Sequence, residues 1–410
     1  MRLHIKNGRV IDPASGKDGS GDVFISDGKL SSESGKADRV IDAKGLVVAP
    51  GLIDLSARLR EPGYEYKATL ESEMDAAVAG GVTSLACPPD TDPPLDEPGL
   101  VDMLRRRAKA LSRARVYPVG ALTVKLAGEA LTEMGQLTDA GCVAFSQANA
   151  ALADTQILWR ALQYAATFGY PVWLRAEDAW LAKGGVSHDG EVATRLGLPG
   201  IPAFAETIAL STILELVRAT GARVHVCRLS SAGAVEMMRR AKAEKLPVSC
   251  DVGIHHVHLC DMDLGYFDSH CRLEPPLRSQ RDRDALSRGL AEGVVDCVCS
   301  DHTPVDEDGK HRPFAQAEPG ATGLELLLPL TLKWGQARGL PLAATLARIT
   351  CEPARILGVA SGRLAAGAPG DLVLFDPAAP LQVKAEALKS QGKNTPFLGH
   401  ELAGKVRYTI

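Results

Sequence analysis

Eight short apolar segments alternating with helix-like ones predict an α/β fold, a closed (β/α)8 TIM-like barrel. Strand-and-turn segments at both ends of the chain predict a small β-sandwich domain beside it. The strand candidates are residues 52–55, 82–86, 116–122, 143–145, 172–174, 224–227, 248–252 and 294–299. Helix-like stretches fall between them, at 70–79, 95–111, 154–168, 205–219, 232–244 and 281–292. Strands joined through helices pair in parallel, and the count of eight favours closure into a barrel.

The first fifty residues read as short strands at 3–6, 22–25 and 39–42, with hairpin signals at Asn7-Gly8 and Asp27-Gly28. Both dipeptides accept the positive φ that tight turns demand. The same style returns at 371–375 and 405–408. The small domain is therefore assigned to residues 1–50 and 359–410, and the barrel to 51–358.

Composition narrows the function. The 410 residues are 45% hydrophobic and 23% charged, ordinary values for a soluble protein with one large domain and a smaller one. A net charge of -4 without a long basic run argues against nucleic acid or an anionic membrane surface as partner. The N-terminus has no apolar core of signal-peptide length, so no export signal is expected. The longest apolar stretch, 323–332, is too short to span a bilayer. Nine cysteines, an odd number without a CxxC pair, read as buried reduced thiols in a cytoplasmic protein.

Barrel enzymes carry their chemistry at the C-terminal ends of the strands. The first such end reads Pro50-Gly51-Leu52-Ile53-Asp54-Leu55-Ser56-Ala57-Arg58-Leu59-Arg60-Glu61-Pro62-Gly63. Later segments include Gly80-Gly81-Val82-Thr83, Val143-Ala144-Phe145-Ser146, Ala176-Glu177-Asp178, Pro275-Pro276-Leu277-Arg278-Ser279, Ser300-Asp301-His302-Thr303-Pro304 and Lys393-Asn394-Thr395-Pro396-Phe397. In these segments, over essentially its whole length, the chain resembles the dihydroorotases of the amidohydrolase superfamily. The resemblance implies a (β/α)8 barrel with a small β domain. It also implies zinc-assisted ring opening of dihydroorotate in pyrimidine synthesis.

That family holds two zinc ions with a His-x-His pair on strand one, a bridging lysine or aspartate, a histidine on each of strands five and six, and an aspartate on strand eight. Imidazole and carboxylate suit Zn²⁺ because each offers a lone pair at about 2 Å. At the former metal positions this chain has Ser56, Arg58, Gln147, Arg175 and Arg228 instead. Asp301 alone remains, in the family both ligand and general base. A guanidinium has no lone pair to give and does not deprotonate in proteins. Zinc is therefore expected to be absent, and Asp301 to be without catalytic function.

The substrate contacts depart as well. Arg60 matches the arginine that pairs with the substrate carboxylate, a vestige here. Asp90 replaces the usual asparagine and would repel that carboxylate, and Val305 replaces a histidine. The chain is most similar to the non-catalytic dihydroorotase-like proteins, a group whose resemblance implies association with aspartate transcarbamoylase in an oligomer. Arg58, Arg175 and Arg228 are expected to replace the metals structurally by pairing with Asp301 and with Glu177 or Asp178, because unpaired buried charges are costly. Two alternatives stay open. One is an active dihydroorotase or related cyclic-amide hydrolase with an atypical metal site built from Asp301 with His302 or His255. The other is a module sensing an anion or pyrimidine intermediate through an excess of positive charge. The cluster His255, His256 and His258, at an expected strand end, reads as structural, as does Lys125 in the loop after strand three. His302 reads as packing, and Cys297 and Cys299 as buried fillers.

Overall fold

The computed structural model describes residues 1–32 and 35–410. Eight parallel strands, ordered as in the sequence, form the barrel: Leu52–Asp54 (β1), Val82–Cys87 (β2), Arg115–Ala121 (β3), Ala144–Ser146 (β4), Val172–Leu174 (β5), Val224–Val226 (β6), Val248–Gly253 (β7) and Cys297–Cys299 (β8). Helices cover the outside, so the strands are buried on both faces; all six residues of β2 are buried.

Local chemistry sets the helix ends. Thr69 and Ser72 form a capping box at the start of Leu70–Ala79. The Asp154 carboxylate accepts from the backbone N–H of Gln156 and Ile157 to open Thr155–Phe168, which Gly169 ends in the left-handed conformation. The stretch beginning at Gly323 is a short 3-10 turn, Leu324–Leu326, followed by the helix Leu327–Ala337.

Closure occurs just beyond β1 and β8, where Ala57 and His302 form a parallel bridge. Arg58 N–H donates to the His302 carbonyl at 2.9 Å, and His302 N–H to the Ser56 carbonyl at 3.0 Å. The His302 ring fastens this seam: its Nε2 lies 2.6 Å from Glu73 Oε2, and its Nδ1 accepts from Gly323 N–H at 3.1 Å. This brings Ser56, Arg58, Asp301 and Thr303 to one place at the mouth.

Both chain ends build the β-rich terminal domain. Hydrogen bonds join its strands into one seven-stranded mixed sheet, ordered Glu401–Thr409, Leu372–Gln382, Val47–Pro50, Arg2–Asp12, Lys17–Ser26 and Lys29–Ser31, with Arg39–Asp42 paired to Arg2–Asp12. Leu3, Ile5, Val10, Val23, Ile25, Val48, Leu372 and Leu374 pack its core. Asp27-Gly28 is a hairpin turn as expected, both residues at positive φ. Asn7-Gly8 is not. The strand runs straight through it, with Asn7 at φ 63° and a register shift between Ile5 and Gly8. Positive φ serves a β-bulge as well as a turn, so the dipeptide alone does not choose between them. The histidine cluster follows directly on β7, where it forms a short helix, Ile254–His258. No helix among the described residues is long and apolar enough to cross a membrane.

Gly8 is held by close approach. A Cβ there would lie 2.5 Å from Val48 Cγ2. Gly8→Ala should therefore lower unfolding free energy by about 1–3 kcal/mol through overpacking, read as a fall in the urea midpoint.

Candidate functional site at the barrel mouth

Three residues that shape the mouth have left-handed backbones although none is glycine: Arg60 at φ 61°, Arg228 at 55° and Asp301 at 45°. Arg228 and Asp301 stand two residues beyond the ends of β6 and β8. Such conformations cost on the order of 1–3 kcal/mol each and persist where surrounding contacts fix them.

Asp301 is the hub. Its Oδ1 accepts from Arg228 Nη1 at 3.0 Å, Arg58 Nη1 at 3.3 Å and Ser56 Oγ at 3.4 Å. Arg58, 4% exposed, spends the rest of its guanidinium on Asp90 through Nε (2.6 Å), Thr303 Oγ1 through Nη1 (3.0 Å) and Asn149 Oδ1 through Nη2 (3.1 Å). Arg228 adds Asn149 Oδ1 at 2.5 Å and the Glu274 carbonyl at 3.3 Å. Arg175 pairs with Glu177, with Glu274 at 3.4 Å and with the Asn149 carbonyl at 3.2 Å, leaving its Nη1 without a partner.

Burial by itself would raise the Asp301 pKa, but Arg228 and then Arg58 outweigh it and hold the carboxyl below its ordinary value. Asp90 is likewise lowered against its burial, chiefly by Arg58. Burial dominates for Glu177, whose pKa is raised despite Arg175. His255 is pushed down to about 4 by burial, so its ring is neutral at pH 7; its Nε2 is unpartnered, as is Nδ1 of His256.

Arg58, Arg175 and Arg228 are each ion-paired, with Asp90, Glu177, Glu274 and Asp301 as their partners, while Arg60 lies in the field of Asp90 and Glu318. Asp90, read in the sequence as a repellent for substrate, is an arginine partner. Asp178 does not join the cluster; it accepts from the N–H groups of Trp180 and Leu181. Gln147 turns away, donating through Nε2 to Thr123 Oγ1 at 2.9 Å and the Leu126 carbonyl at 2.8 Å. Arg60 donates through Nε to the Pro304 carbonyl at 2.9 Å and lies over the Tyr64 ring. Val305 N–H donates to Asn394 Oδ1, and Lys125 N–H to Asp96 Oδ2.

Asn149 and Glu274 are the residues that sequence reasoning missed. Asn149 accepts from Arg58 and Arg228 through Oδ1 and from Arg175 through its backbone carbonyl, and donates through Nδ2 to Glu274 at 3.1 Å. Its one sequence signal is its place three residues beyond β4, level with the other strand ends.

The space left by the former metal positions is a cavity of about 20 Å³ bordered by Ser56, Arg58, Ser146, Cys227 and Arg228, room for about one water molecule. The arginines contribute no lone pairs, and Asp301 is committed to two of them. This donor set does not fit the zinc pair that the resemblance implies. A cleft of about 780 Å³ lies at the opposite end of the barrel around Arg106, Lys109 and Arg115, far from the strand C-termini.

A family model described as dihydro-orotase-like matches residues 45–234, and one described as amidohydrolase family matches residues 194–410. A "dihydroorotase-like protein" of Pseudomonas aeruginosa is 46% identical over 415 residues, covering 100% of this chain and 98% of that one. The chain belongs to the dihydroorotase-like amidohydrolases. A dihydroorotase-like protein of Pseudomonas putida is 43% identical at the same coverage, and a protein named dihydroorotase from Geobacter sp. is 40% identical over 417 residues, again covering 100% and 98%. The L-hydantoinase (dihydropyrimidinase) of Arthrobacter aurescens shares the fold, with a TM-score of 0.88, 24% identity, and coverage of 100% of this chain and 94% of that one.

In this dihydroorotase-like chain the Asp301 carboxyl has a folded pKa below the ordinary 3.8, so it adds stability above that value, lost as pH falls through the folded pKa. Asp301→Asn should remove its share of the acid dependence of unfolding. At neutral pH it should cost about 3–5 kcal/mol, because two buried guanidiniums lose their shared counter-charge. Urea unfolding followed at a series of pH values checks both.

Proposed function

We propose that this chain is a dihydroorotase-like pseudoenzyme of pyrimidine biosynthesis, working as a structural partner of aspartate transcarbamoylase. One observation carries the reading: guanidinium groups tied to their own carboxylates fill the ground where imidazoles would hold zinc. Without a metal-activated water or a polarised substrate carbonyl, the barrel lacks the means to open a cyclic amide. Its packing is independent of those losses, so the fold remains available as a scaffold. The two Pseudomonas relatives carry the name dihydroorotase-like protein. The nine unpaired cysteines accord with a cytoplasmic setting. The partnership itself rests on the resemblance to the non-catalytic group.

Two further readings have an observation each. Relatives at 40% identity are named dihydroorotase, and the unpartnered ring nitrogens of His255 and His256 lie in the surroundings of Asp301. These favour a hydrolase with an atypical metal centre. The Arg60 guanidinium, whose only hydrogen-bond acceptor is a backbone carbonyl, favours a module that senses an anion or pyrimidine intermediate.

Zinc-supplemented protein should turn over neither dihydroorotate nor carbamoyl-aspartate, and it should co-elute with aspartate transcarbamoylase in gel filtration. Zinc-dependent turnover abolished by Asp301→Ala would establish the hydrolase instead. Clean separation of the two proteins would remove the partnership. Calorimetric binding of dihydroorotate or phosphate, with a change in the partner's kinetics, would favour the sensor.

A further inference from the structure

Below the mouth, β6 and β7 bring a second set of polar side chains together inside the barrel. Side chains two apart on a strand share a face, so His225 and Cys227 point the same way, and the parallel register sets Asp251 beside them. His225 Nε2 lies 3.0 Å from Asp251 Oδ2, and its Nδ1 lies 2.8 Å from Ser249 Oγ. Taking one donor atom from each of His225, Cys227 and Asp251, all lie within 4.8 Å of one another. The His225 and Asp251 side chains are 2% and 1% exposed. Cys227 borders the cavity of about 20 Å³, whose other side reaches Ser56 and Arg58.

These donors differ in kind from those at the mouth. A thiol, an imidazole and a carboxylate each have a lone pair to give, and zinc takes all three types. With bonds of about 2.0–2.3 Å, the donors of a tetrahedral zinc stand roughly 3.3–3.8 Å apart. Donors up to 4.8 Å apart exceed that span by about 1.5 Å at most, a gap that side-chain rotations close. A thiolate and a carboxylate together neutralise a divalent ion. Arg228, next along the chain, donates its backbone N–H to Asp251 Oδ1 at 2.6 Å and fixes that carboxylate in place.

We propose that His225, Cys227 and Asp251 form an inner site for a thiophilic divalent cation of the zinc type, separate from the mouth positions that the arginines fill. The fourth ligand is a water molecule enclosed in the cavity of about 20 Å³, which has no room for a substrate beside it. Binding breaks the Cys227 S–H bond and sends its proton to solvent. The His225 proton moves to Nδ1, where Ser249 Oγ accepts it, and Nε2 turns its lone pair to the ion. No redox change is involved. The bound ion ties β6 to β7 directly beneath Arg228. The site does not depend on the function proposed above: it holds whether or not the mouth is catalytic.

The test uses the full chain, stripped with chelator, kept reduced with a phosphine and titrated with Co²⁺. One equivalent should bind with a thiolate-to-cobalt charge-transfer band and release of one proton, and Zn²⁺ should displace it. The band should be lost in Cys227→Ser and Asp251→Asn and kept in Cys142→Ser. Failure to bind cobalt, binding without the band, or a band that survives Cys227→Ser would overturn the proposal. A metal held in the mouth through Asp301 would be lost in Asp301→Ala and kept in Asp251→Asn, the reverse of the pattern expected here, which separates failure of the pseudoenzyme reading from failure of this one. Should either variant fail to fold, Cys227→Ala and Asp251→Ser carry the same test.

Discussion

A single buried carboxylate, Asp301, shared between the guanidiniums of Arg58 and Arg228, holds the C-terminal face of this barrel together. Charges so deep cost several kcal/mol each unless paired and hydrogen-bonded. The neighbours follow from that requirement. Arg58 needs more acceptors than Asp301 offers and takes Asp90, Thr303 and Asn149; Arg228 takes Asn149 and a backbone carbonyl. Asn149, by donating to Glu274, carries the network across to Arg175. The residues are interdependent, because removing one charge strands its partners.

The scaffold delivers these side chains through backbone geometry. The bridge between Ala57 and His302 sets Ser56 and Arg58 against Asp301 and Thr303 from opposite ends of the barrel sequence. His302, clasped by Glu73, secures that seam from the outside. Glu73 also accepts from Ser390 Oγ and Gln391 N–H, so the segment leading into the terminal sheet is anchored to the same point. The closure thus presents an ion-pair network at the mouth, above a barrel whose packing does not depend on it.

Helices were the most legible part of the chain. Leu70–Ala79 matches the sequence reading at both ends, and Thr155–Phe168 follows Asp154, because capping is a local affair of a few residues. The eight strands were legible as apolar runs bounded by turns, though the last is shorter than its apolar stretch. Asn7-Gly8 failed as a hairpin signal because the pairing of distant strands, including the close approach of Val48, decided between bulge and turn. At the site the arginines and Asp301 were legible from the strand ends. Their full set of partners was not, since Asp90, Asn149 and Glu274 come from three separate loops.

The sequence by itself determined the barrel class, the family and the presence at the strand ends of Arg58, Arg175 and Arg228, whose guanidiniums have no lone pair to donate. These are properties of pattern and residue chemistry. Only the tertiary structure decided which carboxylates pair with Arg58, Arg175 and Arg228, and that the room left beside them holds about one water. It alone set His225, Cys227 and Asp251 within reach of one another. Ion pairing and free volume depend on distances between residues far apart in the chain, and no local pattern encodes those distances.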